Sequence, residues 1–84
     1  MKDSKDRLSR LGVGEECTVT GFDTTAEDKR QRLMDLGLIK GARVTCIGKS
    51  PFGNPKAYLI RGAIIAIRNF DAGAVRVVIE SRGS

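Results

Sequence analysis

Apolar and polar positions alternate in short stretches along the chain, and a helical period interrupts them once. Residues 16–22 (ECTVTGF) place Cys17, Val19 and Gly21 on one face and Thr18, Thr20 and Phe22 on the other. With their β-branched content they predict a strand. The period changes over residues 24–37 (TTAEDKRQRLMDLG). Thr24 followed three residues later by Glu27 fits a capping box. Glu27 and Asp28 stand in the first turn, where the helix dipole favours carboxylates, and Gly37 stands where a left-handed cap is wanted. Leu33, Met34 and Leu36 cluster toward the end, so the predicted helix is pinned by its C-terminal turns. Alternation then resumes. Residues 42–48 (ARVTCIG) carry Val44 and Cys46 as core positions, and 57–61, 63–68 and 75–80 read as three more strands. Gly62 joins the first two of these tightly, Pro51–Pro55 is a turn-rich loop, Asn69 to Gly73 is a turn, and Leu8 and Leu11 bracket a short turn near the start.

The pattern is therefore mainly β, with about five short antiparallel strands and one inserted helix. Neighbouring strands joined by turns favour a small, strongly bent barrel, because closure removes exposed edges. A parallel α/β fold is disfavoured by the single crossover helix. Eighty-four residues accommodate one domain, 1–84, with a core over about 8–80 and polar ends at 1–7 and 81–84.

Composition narrows the chemistry. There is no His and no Trp, and the two Cys are Cys17 and Cys46. A His-ligated metal, a Ser/His/Asp triad and a Cys/His dyad are excluded, and one chain cannot build a four-Cys site. Both cysteines fall on inward faces and read as buried free thiols acting as small apolar side chains. Two thiolates alone would lack supporting ligands, so no metal, no cofactor and no catalytic residue is expected. No run of 18 apolar residues exists, and the first ten residues are charged rather than apolar, so the cytosol is the expected compartment.

The net charge is +5 and it is unevenly spread. Residues 11–39 hold six acidic and three basic groups, net −3, whereas residues 40–84 hold eight basic against two acidic, net +6. A basic half suits a nucleic-acid surface. Its charges come singly, however, and only one Tyr and three Phe are available for stacking. A solvated strand face explains them better, and nucleic acid is not the expected partner.

The most specific stretch is Arg32-Leu33-Met34-Asp35-Leu36-Gly37-Leu38-Ile39-Lys40-Gly41, of the form R-L-x-x-L-G-L-x-x-G before a strand. Pro51–Pro55, Tyr58-Leu59-Ile60-Arg61-Gly62, Ile65-Ala66-Ile67-Arg68, Asp71-Ala72 and Val75-Arg76-Val77 follow in order. From about Leu8 to Glu80 this ordered set resembles the FeoA family of small ferrous iron transport accessory proteins. The same module is similar to the C-terminal domain of iron-dependent repressors of the DtxR type. The resemblance implies an SH3-like barrel with an inserted helix. It also implies a non-catalytic cytosolic role beside FeoB, the membrane transporter of ferrous iron that carries a cytosolic GTP-binding domain. Two alternatives are a metal- or peptide-binding regulatory domain of a DtxR-type repressor, and a basic nucleic-acid-binding barrel. A chain of this length has no room for the helix-turn-helix reader of a repressor.

Six residues are candidates for partner binding. Met34, Leu38 and Ile39 flank the Gly37 cap, and any that are exposed would form an apolar patch. Phe52 sits in the Pro51–Pro55 loop with Tyr58 nearby, and loops on rigid scaffolds commonly carry function. Arg68 matches a family position and could pair with Asp71 or Asp35. Leu33, Leu36 and Gly37 read instead as core and cap.

Overall fold

The computed structural model describes residues 6–81. The elements run β1 (Asp6–Arg7), a 3₁₀ turn (Leu8–Arg10), β2 (Glu16–Phe22), α1 (Glu27–Asp35), β3 (Arg43–Lys49), β4 (Lys56–Ile60), β5 (Ala63–Ile67), α2 (Asn69–Ala72) and β6 (Val75–Ser81). The strands form one antiparallel sheet in the order β1-β6-β2-β3-β4-β5. The expected mainly β, antiparallel architecture is present, with six strands rather than five and a second short helix.

Period-two alternation builds the core. Cys17 and Val19 of β2, Val44 and Cys46 of β3, Tyr58 and Ile60 of β4, and Val75 and Val77 of β6 all point inward and are buried. Leu8, Leu11, Leu33, Leu38, Ile67 and Ala72 complete the cluster. Each fully buried aliphatic side chain contributes about 1.5–3 kcal/mol by leaving water. The rim of the sheet is tied by side chains of β4. The Lys56 ammonium donates to the carbonyls of Ser9 (2.7 Å) and Leu11 (3.0 Å), and the Tyr58 hydroxyl donates to Leu8 O (3.3 Å). These bonds satisfy carbonyls at the 3₁₀ turn and fasten it over the core.

Several local expectations change. The polar leader expected over 1–7 is partly a strand. Residues 1–5 lie outside the described residues, but Asp6 and Arg7 pair with Val77 and Arg76 of β6. The Arg7 guanidinium also holds Asp23, a contact 16 residues away in sequence that no local pattern could reveal. At the other end β6 runs into Ser81, while residues 82–84 lie outside the described residues. The Thr24–Glu27 capping box does not form. Ala26 is extended and is the N-cap, with no side-chain cap bond, and Thr24 Oγ1 instead accepts the Ala26 N–H at 3.1 Å. The expected turn at 69–73 contains α2, because Asn54 Oδ1 reaches across from another loop to accept the Asn69 N–H at 2.8 Å.

One register irregularity shapes the surface between β2 and α1. Val19, Gly21 and Phe22 lie opposite Val77, Arg76 and Val75, so Thr20 has no partner on β6. This bulge shifts the alternation by one residue. Phe22, expected on the outer face with Thr18 and Thr20, therefore turns toward the core and packs against it, half-buried.

Candidate functional site

Helix α1 ends in a Schellman arrangement that positions the apolar residues around it. The Gly37 N–H donates to Met34 O at 2.9 Å and the Leu38 N–H to Leu33 O at 3.2 Å. Gly37 has φ +104°, which L-residues rarely adopt. The reversal carries Leu38 inward beside Leu33, and both are buried. Leu36 stays half-buried against the core. Met34 and Ile39 are left on the surface, 39% and 40% exposed.

After the cap the chain runs alongside β2. The Gly41 N–H donates to Val19 O (2.7 Å) and the Val19 N–H to Ala42 O (2.9 Å). Just beyond Val19 the Thr20 bulge bends β2, and a groove of about 450 Å³ opens between the bulge and α1. Phe22, Met34 and Ile39 give it apolar walls, Thr20, Gly21 and Thr24 line the β2 side, and the exposed cations Arg30 and Lys40 border it. An ideal Cβ on Gly21 would have no heavy atom of a neighbour within 4 Å, so the strand leaves free space there. The Thr20 hydroxyl is buried without a hydrogen-bond partner among the described residues. A second hollow of about 220 Å³, lined by Glu27, Arg30, Gln31 and Met34, adjoins along the helix. The arrangement fits an apolar side chain carried beside a carboxylate.

The structure thus brings together two of the six candidates, Met34 and Ile39. It removes two others. Leu38 is fully buried because the Schellman turn folds it under the helix end, and Tyr58 is fully buried because its β4 position faces the core and its hydroxyl bonds to Leu8 O. Neither is available to a partner. Phe52 and Arg68 are exposed but lie on a different surface, where the 50–55 loop meets α2. Arg68 pairs with neither proposed acid: Asp71 faces Lys29 at 3.4 Å, and Asp35 accepts from Gln31 at 3.0 Å. Sequence reasoning missed Phe22, Arg30 and Lys40 in the groove. The bulge that turns Phe22 leaves no mark in the alternation, and the two cations are indistinguishable from other solvated charges.

No activated nucleophile is apparent among the described residues. Burial pushes the Cys17 thiol up to about 12, with Glu80, Glu16 and Cys46 adding to the shift, the reverse of what a reactive thiolate needs. Cys17 and Cys46 are both buried free thiols. No group of three or more His, Cys, Asp or Glu side chains among the described residues is placed to hold a metal ion. No described helix is long and apolar enough to cross a membrane.

Comparisons with known proteins agree with this fold. No curated protein matches the chain. Among solved structures, FeoA from Chlorobium tepidum is 29% identical, with 94% of this chain and 74% of that one covered and a TM-score of 0.79. FeoA from Stenotrophomonas maltophilia, a prokaryotic SH3 domain protein solved with zinc, is 26% identical, with 93% and 99% covered and a TM-score of 0.78. The IdeR protein of T. acidophilum shares the fold at 20% identity and a TM-score of 0.78, with 89% of this chain and 34% of that one covered. The model of the FeoA domain matches residues 7–79, nearly all of the described chain. The chain therefore belongs to the FeoA family, a group of small SH3-like proteins associated with ferrous iron transport and not a known enzyme family.

Proposed function

We propose that this chain is a non-catalytic cytosolic accessory protein that binds the cytosolic part of the ferrous iron transporter FeoB and regulates it through the groove beside α1. The observation that carries the reading is the groove itself: Phe22, Met34 and Ile39 meet between Arg30 and Lys40 at the point where the R-L-x-x-L-G-L-x-x-G stretch turns into the sheet. Apolar residues left exposed on a small protein commonly mark an interface. The two cations would steer an acidic segment and set its register. Without an activated nucleophile or acid–base pair, regulation would act through binding.

The test is an amide-shift titration of the labelled protein with the FeoB cytosolic G-domain, first with GDP and then with a GTP analogue. Shifts confined to residues 20–24 and 30–41 are expected. A difference between the two nucleotides would tie binding to the switch state. Gly21→Leu should plug the groove while leaving the fold intact, because space is free at that Cβ. It should abolish the localised shifts. Wild-type spectra unmoved in both nucleotide states, or a Gly21→Leu protein that binds normally, would overturn the assignment.

A further inference from the structure

A second surface lies where the 50–55 loop meets α2. Phe52 is 94% exposed and Phe70 is 81% exposed, the two most exposed large apolar side chains among the described residues. Their loops are cross-linked: the Asn69 N–H donates to Asn54 Oδ1 (2.8 Å) and Asn69 Nδ2 to Gly53 O (3.3 Å). Within the loop the Asn54 N–H donates to Ser50 Oγ (3.0 Å) and the Gly53 N–H to Ser50 O (2.8 Å). Two aromatic tips are thus held on one braced unit rather than on two independent loops.

The charges around them are predominantly basic. Residues 49–56 and 68–73 contain Lys49, Lys56 and Arg68 against the single carboxylate of Asp71. Asp71 is paired with Lys29, whose ammonium also lies 3.7 Å from the centre of the Phe70 ring. Lys56 is occupied by the carbonyls of Ser9 and Leu11. Lys49 and Arg68 are exposed and make no ion pair among the described residues.

From this combination we infer that the Phe52–Phe70 surface docks on an anionic lipid bilayer, with the two rings inserted at the headgroup level and Lys49 and Arg68 on the phosphates. Two protruding rings beside unpaired cations suit a fluid, negatively charged interface that deforms around them. The groove beside α1 is lined by other residues, so the two surfaces use separate side chains. This surface does not depend on the groove assignment, and vesicles without any transporter test it alone.

The experiment is co-sedimentation with vesicles of phosphatidylcholine alone or mixed with phosphatidylglycerol, at low and high salt. Binding should appear with phosphatidylglycerol only and fall with salt. Phe52→Ala and Phe70→Ala should each weaken it about tenfold, and Arg68→Gln about fivefold. Ile64→Ala, at a 68% exposed apolar site on β5, should leave it unchanged. Circular dichroism of each variant checks the fold. Absence of binding to anionic vesicles at low salt would overturn the inference. So would salt-sensitive binding indifferent to both phenylalanines, which would reflect only the net charge of +5. Phe52 and Phe70 amides that shift with the FeoB domain but not with vesicles would assign the surface to a protein and overturn it equally.

Discussion

Replacing Gly37 by Ala tests the physical account of the α1 cap. Two costs arise at this position. The backbone sits at φ +104°, and a left-handed conformation costs an L-residue roughly 1–2 kcal/mol. The new Cβ would also lie 2.9 Å from Ile60 Cγ2 and 3.1 Å from Arg61 Cδ. Arg61 can swing away, but Ile60 is buried on β4 and cannot, so overpacking adds roughly 1–3 kcal/mol. The sum, about 2–5 kcal/mol, is a large share of the roughly 4–13 kcal/mol expected for a domain of this size. Gly41 supplies the control: its φ is +92°, yet its Cβ would meet nothing within 4 Å. Gly41→Ala should therefore show the conformational cost alone. The assay is urea unfolding followed by far-ultraviolet circular dichroism, with both variants fitted at a shared m-value. Gly37→Ala should be the less stable by at least about 1 kcal/mol. Equal losses, or a greater loss at Gly41, would refute the claim that the helix end is packed against Ile60.

Leu38→Ala should cost about 2–5 kcal/mol in thermal or urea unfolding, whereas Phe52→Ala should change stability by less than about 0.5 kcal/mol, since the first is buried and the second exposed. Neither thiol should react with Ellman's reagent at pH 8 in the native protein, and both should react after unfolding in urea. Because folding raises the Cys17 pKa from 9.0 to about 12, its stabilisation is complete below pH 9 and is lost as pH rises from 9 toward 12. Burial shifts Tyr58 upward too, in the same sense, and a pH series of melting temperatures with Cys17→Ala as comparison checks this alkaline limb. At the acid end, the hydrogen bond and charge of Arg7, aided by Arg76, hold Asp23 below the usual carboxylate range. Its contribution is present above the ordinary carboxylate pKa and lost as pH falls through the lowered one. Asp23→Asn should flatten that decline, and salt should weaken it because the pair is exposed.

Alternation locates β2, β3, β4 and β6 to within a residue or two, because burial on one face forces the pattern, and β5 is legible as a short apolar run between Gly62 and the turn at 69–73. The R-L-x-x-L-G-L-x-x-G stretch locates the α1 cap, since only glycine fits a residue at φ +104° under Ile60. What stays hidden depends on contacts distant in sequence. Strand β1 exists through Val77, Arg76 and Asp23, and the start of α2 is held by Asn54. Within the proposed binding groove, Met34 and Ile39 are legible as apolar residues beside a cap. Leu38 is not separable from them, because the Schellman turn sorts neighbouring hydrophobic positions by geometry that their chemistry does not show. Tyr58 misleads for a related reason: its β4 register, rather than its distance from the loop, decides which way it points.

The bulge at Thr20 has a consequence for how this chain could change. Val19, Gly21 and Phe22 already face three consecutive residues of β6, so the ladder is complete without Thr20. A one-residue deletion there would join the flanking residues in the register they now hold. Phe22 would still turn inward and every pairing with β6 would survive. The groove would lose the bend that opens it. Elsewhere in a strand, a deletion of one residue exchanges the faces of everything beyond it. This position therefore lets the proposed binding groove be lost while the strand pairing is inherited intact.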